Sequence, residues 1–359
     1  MSSYGSVTIR TRDTSALDPN SPACDAHASF QALATTGRPI LIEIGQAPFR
    51  GKRKARYHRE DSPGMNRAEN HFQGMARHGD TLYLTGADWD EPAAHLFVCA
   101  LDTDAGGAPT GARLESVLAL DTELPHAGGV QRLGDVLVVA LEGPARDSRV
   151  RFLHLEDPAR PTFVGGHSEI VRTGQTKASA GAVARMADGR LLVGVAWRNA
   201  LDLYLTRDAD LRNGYVPAGG APAPRTLDLG PTHGKPAYQA IAFLPPEEWA
   251  RADGGAREVR LPVVGFRNTS QALSNWWRGE DHADLFELII PGQALDAWPG
   301  GPEILIRPIT SSAFDFGRFD GNFSAAAGLD VEAGGALAIY AAHHWRTGEG
   351  IRFSVCGGG

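Results

Sequence analysis

One short pattern of apolar and aromatic residues recurs five times along the chain. In each copy an alternating apolar run follows a polar loop and contains one aromatic residue, which serves here as a register mark: Phe97, Phe152, Tyr204, Phe286 and Phe353. Alternation with a period of two predicts β-strands, and recurrence at about the length of four strands predicts a repeat architecture. The longer repeats contain insertions at residues 245–256, 269–281 and 310–321.

Each repeat predicts an antiparallel unit of four strands. The run just before the mark lies at residues 81–85, 135–141, 190–196, 260–266 and 336–341, and a glycine turn signal precedes four of these runs, as hairpins require. An earlier run, rich in small residues, lies at 73–76, 127–130, 180–183, 239–242 and 324–328. Small residues are expected where innermost strands converge on a crowded axis, so this run orients each unit.

A fourth strand follows the mark in four repeats, at residues 114–120, 160–164, 225–229 and 303–309. The fifth repeat lacks one, and the unpaired run at residues 39–44 can supply it, which would remove an exposed sheet edge. The predicted fold class is therefore all-β: a five-bladed β-propeller of four-stranded antiparallel blades, closed by pairing of the N- and C-terminal strands. A β-sandwich or two β domains is the alternative, since repeated strands alone do not determine closure.

The domain prediction is a single β-propeller domain over residues 1–359. Residues 1–38 form an N-terminal extension with a short helix, and residues 39–355 form the propeller. The helix is expected within residues 22–35, where Ser21 can act as the cap and Pro22 suits the first turn.

Composition and charge narrow the setting and the partners. The hydrophobic fraction of 42% and the charged fraction of 21% are ordinary for a globular protein. The chain shows neither a basic start followed by an apolar run nor an apolar stretch long enough to span a membrane, and its 3 cysteines are an odd number, so we expect a soluble, cytoplasmic protein. The net charge of −7 argues against a nucleic-acid or anionic-membrane partner.

Loops from the second to the third strand of a blade emerge on the same face as loops that lead to the next innermost strand. Five of the 7 tryptophans fall in these loops, together with arginines whose forked donors suit carboxylates, phosphates or sugar hydroxyls. The alternative is that the tryptophans pack between blades and the arginines pair with loop acids. The candidate substrate-binding residues are Trp89, Trp197, Arg198, Arg267, Trp276, Trp277, Asn322, His344, Trp345 and Arg346.

His71 and His126 occupy the same repeat position, just before the innermost strand. Such a pair can hold a divalent metal or move a proton near neutral pH, although no short histidine spacing marks a metal site and ordinary hydrogen-bonded histidines remain the alternative. Lys177, Tyr238 and Asp320 fill the comparable positions of the other repeats. The candidate catalytic set is thus His71, His126, Lys177, Tyr238 and Asp320. The cofactor is not determined by the sequence, and a divalent metal at His71 and His126 is one candidate.

A basic segment at residues 50–59 runs against the acidic balance of the chain. It is either a solvated loop or a lid that draws an anionic ligand towards the axis.

The repeat pattern over residues 39–355 resembles five-bladed β-propellers in general, a group that includes propeller glycosidases and tachylectin-like lectins. Propeller glycosidases use carboxylates near the innermost strands, and Glu69, Asp121, Glu123 and Asp320 lie close to such positions. These residues do not match a glycosidase motif one by one, so no catalytic role is carried over. Unlike tachylectin-like repeats, the loops differ strongly from blade to blade, which favours one central site.

The sequence therefore predicts an enzyme that acts on a polar or anionic small molecule at the axial mouth, as a hydrolase or a lyase or cyclase. A non-catalytic, lectin-like propeller that binds a sugar or metabolite is the alternative, and a scaffold that presents its rim to a protein is a third. Fold resemblance alone does not separate them.

Overall fold

A computed structural model of the chain describes residues 8–9, 25–43, 71–88, 93–143, 147–173, 177–217, 223–229, 238–251, 257–269, 279–316, 320–332, 334–347 and 350–357. Strands dominate this part of the chain. In chain order they are β1 (Thr8–Ile9), β2 (Arg38–Glu43), β3 (His71–His78), β4 (Thr81–Asp88), β5 (Ala93–Thr103), β6 (Pro109–Asp121), β7 (His126–Leu133), β8 (Val136–Glu142), β9 (Ser148–His154), β10 (Thr162–Phe163), β11 (Ile170–Arg172), β12 (Ala180–Arg185), β13 (Leu191–Trp197), β14 (Ala200–Leu205), β15 (Arg225–Asp228), β16 (Ala240–Phe243), β17 (Glu247–Arg251), β18 (Glu258–Asn268), β19 (Asp281–Pro291), β20 (Leu305–Phe314), β21 (Ala326–Val331), β22 (Leu337–Thr347) and β23 (Gly350–Gly357).

Within the described residues, antiparallel pairing sorts nearly all of these strands into five groups. The first is β3-β4-β5-β6, and the second is β7-β8-β9, with both β10 and β11 paired to β9. The third is β12-β13-β14-β15, and the fourth joins β16 and β17 to β18, followed by β19 and β20. The fifth is β21-β22-β23-β2, so the predicted strands of every repeat are confirmed.

The register marks and turns agree with the sequence pattern. All five marks are buried and lie in the third strand of their group, in β5, β9, β14, β19 and β23. The turn signals before β4, β8 and β13 contain glycines with positive φ, at +58° for Gly79, +55° for Gly134 and +86° for Gly189. Glycine is favoured at such angles because it has no Cβ to clash with the backbone.

Strand β2 closes the fifth group, as predicted. It runs antiparallel to β23, with Ile42 opposite Ile351 and Ile40 opposite Phe353, so its apolar face joins a buried cluster. A parallel contact between β2 and β6 and another between β21 and β3 then connect the first and fifth groups into a closed eight-stranded sheet. The edge that β23 would otherwise expose is thereby covered.

The hydrophobic core is divided into five clusters, and each lies between one group of strands and the next. The first and second groups share one cluster, the second and third another, and the series continues until the fifth group packs against the first. The described groups are therefore arranged in a cycle.

The innermost strands β3, β7, β12, β16 and β21 meet so closely that side chains are excluded at several positions. A Cβ on Gly328 would lie 1.7 Å from the carbonyl oxygen of Met75, and one on Gly129 would lie 2.6 Å from the carbonyl oxygen of Gln239. Such distances are far inside van der Waals contact. The predicted runs of small residues therefore lie where these strands meet most closely.

The buried side chain of Gln131 on β7 links three of these strands. Its Oε1 accepts hydrogen bonds from the backbone N–H of Val183 at 3.0 Å and of Phe243 at 2.9 Å, and its Nε2 donates to the Phe243 carbonyl at 2.6 Å. A buried amide satisfied in this way fixes the relative heights of β7, β12 and β16.

The helices differ from the prediction in extent. The N-terminal helix α1 (Ala26–Gln31) lies within the predicted range but is shorter, and its cap is Asp25, whose side chain accepts from the Ala28 N–H at 3.1 Å. The sequence predicts Ser21 as the cap, and Ser21 lies outside the described residues. The cap is Asp25 because the helix begins at Ala26, directly after it. A second helix, α2 (Gly292–Asp296), and strand β17 in the insertion at 245–256 were not predicted. No helix in the described residues has the length and apolar character needed to cross a lipid bilayer.

Candidate functional site

The candidate residues that can be placed lie at one end of the strands. We call this end the upper face: β3, β7, β12, β16 and β21 begin there, and β4, β8, β13, β18 and β22 end there. His126 is the first residue of β7, Lys177 and Tyr238 shortly precede β12 and β16, and Asp320 and Asn322 precede β21. The repeat therefore brings these residue positions to a common face.

Part of the predicted set lies outside the described residues. This holds for Trp89, Trp276 and Trp277, and for the side chains of His71, His344, Trp345 and Arg346. The basic segment at 50–59 and Glu69 also lie outside them. Their predicted roles stay predictions.

Two predicted catalytic residues converge on a carboxylate that the sequence did not single out. His126 lies opposite Glu142 across the β7–β8 ladder, and its Nδ1 is 3.2 Å from Glu142 Oε1. The same oxygen lies 3.7 Å from the Nζ of Lys177, which comes from the segment before β12. Glu142 is largely buried, with 12% of its side chain exposed, whereas 41% of the Lys177 side chain is exposed.

This cluster has the parts of an acid–base site. A carboxylate beside an imidazole nitrogen orients the ring, and a histidine held in this way can pass a proton to or from a bound molecule. The Lys177 ammonium adds a positive charge at the same carboxylate, where a developing negative charge on a substrate can be stabilised.

The loop that carries His126 is fixed by Asp121. Its buried carboxylate accepts from the backbone N–H of Glu123 at 2.7 Å and of Leu124 at 3.0 Å. Its other oxygen lies 3.0 Å from Arg149 Nη1 and 3.2 Å from Arg151 Nη2. Asp121 thus has a positioning role, since the contacts named here fix the loop just before His126.

The buried ion pair of Arg172 and Asp202 holds the backbone at Lys177 in place. Arg172 Nη1 donates to the Lys177 carbonyl at 2.9 Å, and the same guanidinium is paired with Asp202. Asp202 also accepts from the Thr226 hydroxyl at 2.5 Å. A guanidinium held by these partners limits the movement of the segment that places the lysine.

Tyr238 and Arg267 share the buried carboxylate of Asp284. The Tyr238 hydroxyl donates to Asp284 Oδ2 at 2.8 Å, and Arg267 donates through Nε at 2.5 Å and through Nη2 at 3.1 Å. Burial, together with the Asp284 charge, raises the pKa of Tyr238 far above its ordinary value, so the phenol stays protonated. For Arg267 this is the pairing with a neighbouring acid that the sequence left open as the alternative to ligand binding.

A further buried carboxyl on the upper face, Asp281, was missed by the sequence interpretation. Its Oδ1 accepts from the Asn268 amide at 2.9 Å and from the Phe323 backbone N–H at 2.8 Å. Burial raises the pKa of Asp281 to about 7, despite these two donors. A carboxyl that titrates near neutral pH can donate as well as accept a proton.

Two further predicted polar residues, Asp320 and Asn322, contact groups of the protein itself. Asp320 is paired with Arg352 at 3.0 Å, and Asn322 accepts from the Ser324 N–H at 2.7 Å through its side-chain oxygen. Both therefore order the segment before β21.

Arg198 and Asn199 form the tip of the β13–β14 hairpin, directly after Trp197. Trp197 pairs with Ala200, and the guanidinium carbon of Arg198 lies 4.6 Å from the centre of the Trp197 ring, within the range of a cation–π contact. The tip lies on the upper face beside the segment that carries Lys177, because Ser179 N donates to the Ala196 carbonyl at 2.9 Å.

Within the described residues, no group of three or more histidine, cysteine, aspartate or glutamate side chains is arranged to hold a metal ion. The predicted metal at His71 and His126 depends on a side chain outside those residues and stays a prediction.

Comparison with known proteins leaves the family open. Neither a protein-family model nor a curated protein sequence matches the chain. Among solved structures, a hypothetical protein from Leishmania major is similar at 10% identity over 92% of this chain and 92% of that chain, with a TM-score of 0.43. A thermostable family-43 glycoside hydrolase is similar at 9% identity over 80% and 88% of the two chains, with a TM-score of 0.44. A sialidase from Trypanosoma rangeli, in complex with a difluoro sugar acid, is similar at 12% identity over 97% of this chain and 57% of its own, with a TM-score of 0.39. Scores this low carry no argument about function.

Proposed function

We propose that the chain folds as a single five-bladed β-propeller, in which the five groups of strands are the blades. The cyclic series of core clusters supports this, because each blade of a propeller packs only against its two neighbours. The pairing of β2 with β23 supports closure by the N-terminal strand. A β-sandwich or two separate β domains would not require the last group to pack against the first.

We propose further that the upper face is the active site of an enzyme that acts on a polar or anionic small molecule. The observation that carries this proposal is the convergence of His126 and Lys177 on the largely buried carboxylate of Glu142. Side chains from two different blades meet there, and together they can move a proton and stabilise a negative charge.

In the proposed reaction, His126 takes a proton from water or from the substrate, and Glu142 stabilises the imidazolium that forms. Lys177 stabilises the negative charge that develops on the substrate oxygen. The proton then passes from His126 to the leaving group, which restores the neutral ring. This sequence suits a hydrolase, in which water is the nucleophile, and equally a lyase or cyclase, in which the proton comes from carbon or from a hydroxyl of the substrate.

The alternative is a non-catalytic binder of a sugar or metabolite. The exposed Arg198 over Trp197 favours it, since a guanidinium and an indole on a rim suffice to bind a ligand without chemistry. The two functions differ in their need for His126.

The test is turnover of a defined substrate panel by the wild type and two matched variants. The panel consists of 4-nitrophenyl glycosides, 4-nitrophenyl glycuronides, sugar lactones and acidic polysaccharides, assayed for nitrophenol release, ring opening and double-bond formation. We expect the His126→Gln variant to lose activity by about a hundredfold or more. A matched His154→Gln variant, altered at the opposite end of β9 from the upper face, should keep it. Equal activity of the His126→Gln variant and the wild type would refute the proposed role. Thermal stabilisation by panel compounds without turnover would favour the binder.

A further inference from the structure

We propose that the tip of the β13–β14 hairpin is an oxyanion-binding element, in which Arg198 is kept in a strained backbone conformation so that its guanidinium meets a carboxylate or phosphate of the ligand. This inference rests on the proposed function for the location of the ligand. It adds the chemical class of the ligand and the residue that selects it.

The first observation is the backbone of Arg198. Trp197 pairs with Ala200, so Arg198 and Asn199 are the two central residues of a two-residue hairpin. Arg198 has a φ of +54°, and every other described residue with a positive φ is a glycine. In hairpins of this length, a central position with positive φ favours glycine because a Cβ is strained there. An arginine at this position is therefore disfavoured by local structure, and such exceptions concentrate at binding sites.

The second observation is the charge environment. Other cationic side chains at or near the upper face lie close to acids: Arg149 to Asp121, Arg172 to Asp202, Lys177 to Glu142, Arg267 to Asp284 and Arg352 to Asp320. Arg198 is exposed and, in the described part of the chain, has no carboxylate partner. Because the side chain is exposed, an anionic ligand can reach its guanidinium.

The third observation is the position of the guanidinium. Its carbon lies 4.6 Å from the centre of the Trp197 ring, and a guanidinium held by the face of an indole can still use its in-plane N–H donors for a ligand. Those paired donors match the two oxygens of a carboxylate or a phosphate. The tip also lies beside the Lys177 segment, since the Ser179 hydroxyl donates to the Ala196 carbonyl at 2.9 Å. A ligand held by Arg198 would therefore lie next to the proposed acid–base cluster.

Binding is tested with three probes on the full chain: D-glucuronate, inorganic phosphate and the neutral sugar D-glucose. The Arg198 Nε–Hε signal in the nitrogen-15 spectrum, assigned by its loss in the Arg198→Ala variant, should move with glucuronate, with phosphate or with both, but not with glucose. A response to glucuronate alone identifies a carboxylate ligand, and a response to phosphate alone identifies a phosphorylated one. An unmoved signal with both anions would overturn the proposal.

Calorimetric titration gives the affinity. We expect the Arg198→Ala variant to bind the responding anion at least about tenfold more weakly than the wild type. Arg113 is an exposed arginine on β6 that is paired with Asp102, so the Arg113→Ala variant is the matched control and should bind normally. The His126→Gln variant should also bind the anion normally. A failure of the acid–base role is therefore distinguishable from a failure of anion recognition.

Strain is tested by comparing glycine with alanine at two neighbouring positions. At position 198 the Arg198→Gly variant should melt above the Arg198→Ala variant, because glycine relieves the positive φ. At position 199, where φ is not positive, the Asn199→Ala variant should melt at or above the Asn199→Gly variant. If alanine is as stable as glycine at position 198, the conformation is not strained and the proposal fails in that part.

Discussion

Replacing Asp281 by asparagine should stabilise the protein increasingly as the pH rises. The substitution keeps the shape of the side chain, and the amide oxygen can accept the same hydrogen bonds from Asn268 and Phe323, at 2.9 Å and 2.8 Å in the native chain. It removes the ionisation, which burial opposes and which the nearby charge of Asp315 opposes further. The amide that replaces the carboxyl stays neutral at every pH.

The magnitude follows from the pKa of Asp281, which burial raises from 3.8 to about 7. One pKa unit corresponds to about 1.4 kcal/mol, so ionising this carboxyl in the folded state lowers the free energy of unfolding by about 4 kcal/mol. The unfolded chain releases its proton above pH 3.8, whereas the folded chain holds it to about pH 7. The contribution of the proton to stability is therefore complete below pH 3.8, is lost across that interval and stays constant above it.

The assay is urea unfolding of the wild type and the Asp281→Asn variant at about pH 5 and about pH 8. The variant should gain about 3 kcal/mol relative to the wild type between these two conditions. The Asn322→Ala variant is the control, because Asn322 also lies on the upper face but carries no ionisable group, so its difference from the wild type should not change between the two pH values. A constant difference between the Asp281→Asn variant and the wild type at both pH values would refute the reasoning.

Three further predictions concern the framework. In urea unfolding, the Gly328→Ala variant should lose several kcal/mol of stability, because its Cβ would lie 1.7 Å from the Met75 carbonyl oxygen. The Gly79→Ala variant is the control: a Cβ there meets nothing within 4 Å, so it should lose only about 1 kcal/mol, from the positive φ. The Arg172→Met variant should lose about 3–5 kcal/mol of stability in urea unfolding, since the Asp202 carboxylate would remain buried without its guanidinium partner. The Arg113→Met variant, which breaks an exposed ion pair, is the control; an equally small loss in both variants would argue against a stabilising role of the Arg172–Asp202 pair. Deletion of residues 1–43 removes β2 and should give protein that is insoluble or melts at a much lower temperature. Deletion of residues 1–7 should change neither the solubility nor the melting temperature. Normal melting of the longer deletion would contradict the role of β2 in closure.

The strand framework was predictable because local rules decide it. Apolar alternation marks each strand, and turn residues such as Gly79 and Gly134 mark where hairpins reverse. Residues that avoid a Cβ where strands meet closely, such as Gly328, were visible as a run of small residues. The pairing of β2 with β23 followed from counting strands, since one repeat lacked its fourth.

The site was only partly predictable, because its contacts depend on register. A regular hairpin between β7 and β8 would place Gly143 opposite His126. A bulge between Ala127 and Val130 shifts the register by one residue and brings Glu142 there instead. The signal for this shift is the pair Gly128-Gly129, where a bulge is tolerated.

Asp281 could not be predicted from the sequence for another reason. Its donors are Asn268, across a hairpin interrupted by an insertion, and the backbone of Phe323, which belongs to the next repeat. Burial, which raises the pKa of Asp281, arises from packing between elements that are distant in the sequence. No local pattern reports such packing.

The pairing of β2 with β23 also sets the timing of folding during synthesis. β2 ends at Glu43, and its partner begins at Gly350, so the ribosome must add nearly the whole chain between them. At about 5–20 residues per second, β2 waits for tens of seconds while the intervening repeats emerge. Throughout that interval the edge of β2 that pairs with β23 has no partner from its own chain. The β23 strand of a chain made just ahead on the same messenger RNA can then pair with it. Strand-exchanged dimers are therefore the expected by-product of rapid expression, and their yield should fall when initiation is slowed and nascent chains are spaced further apart.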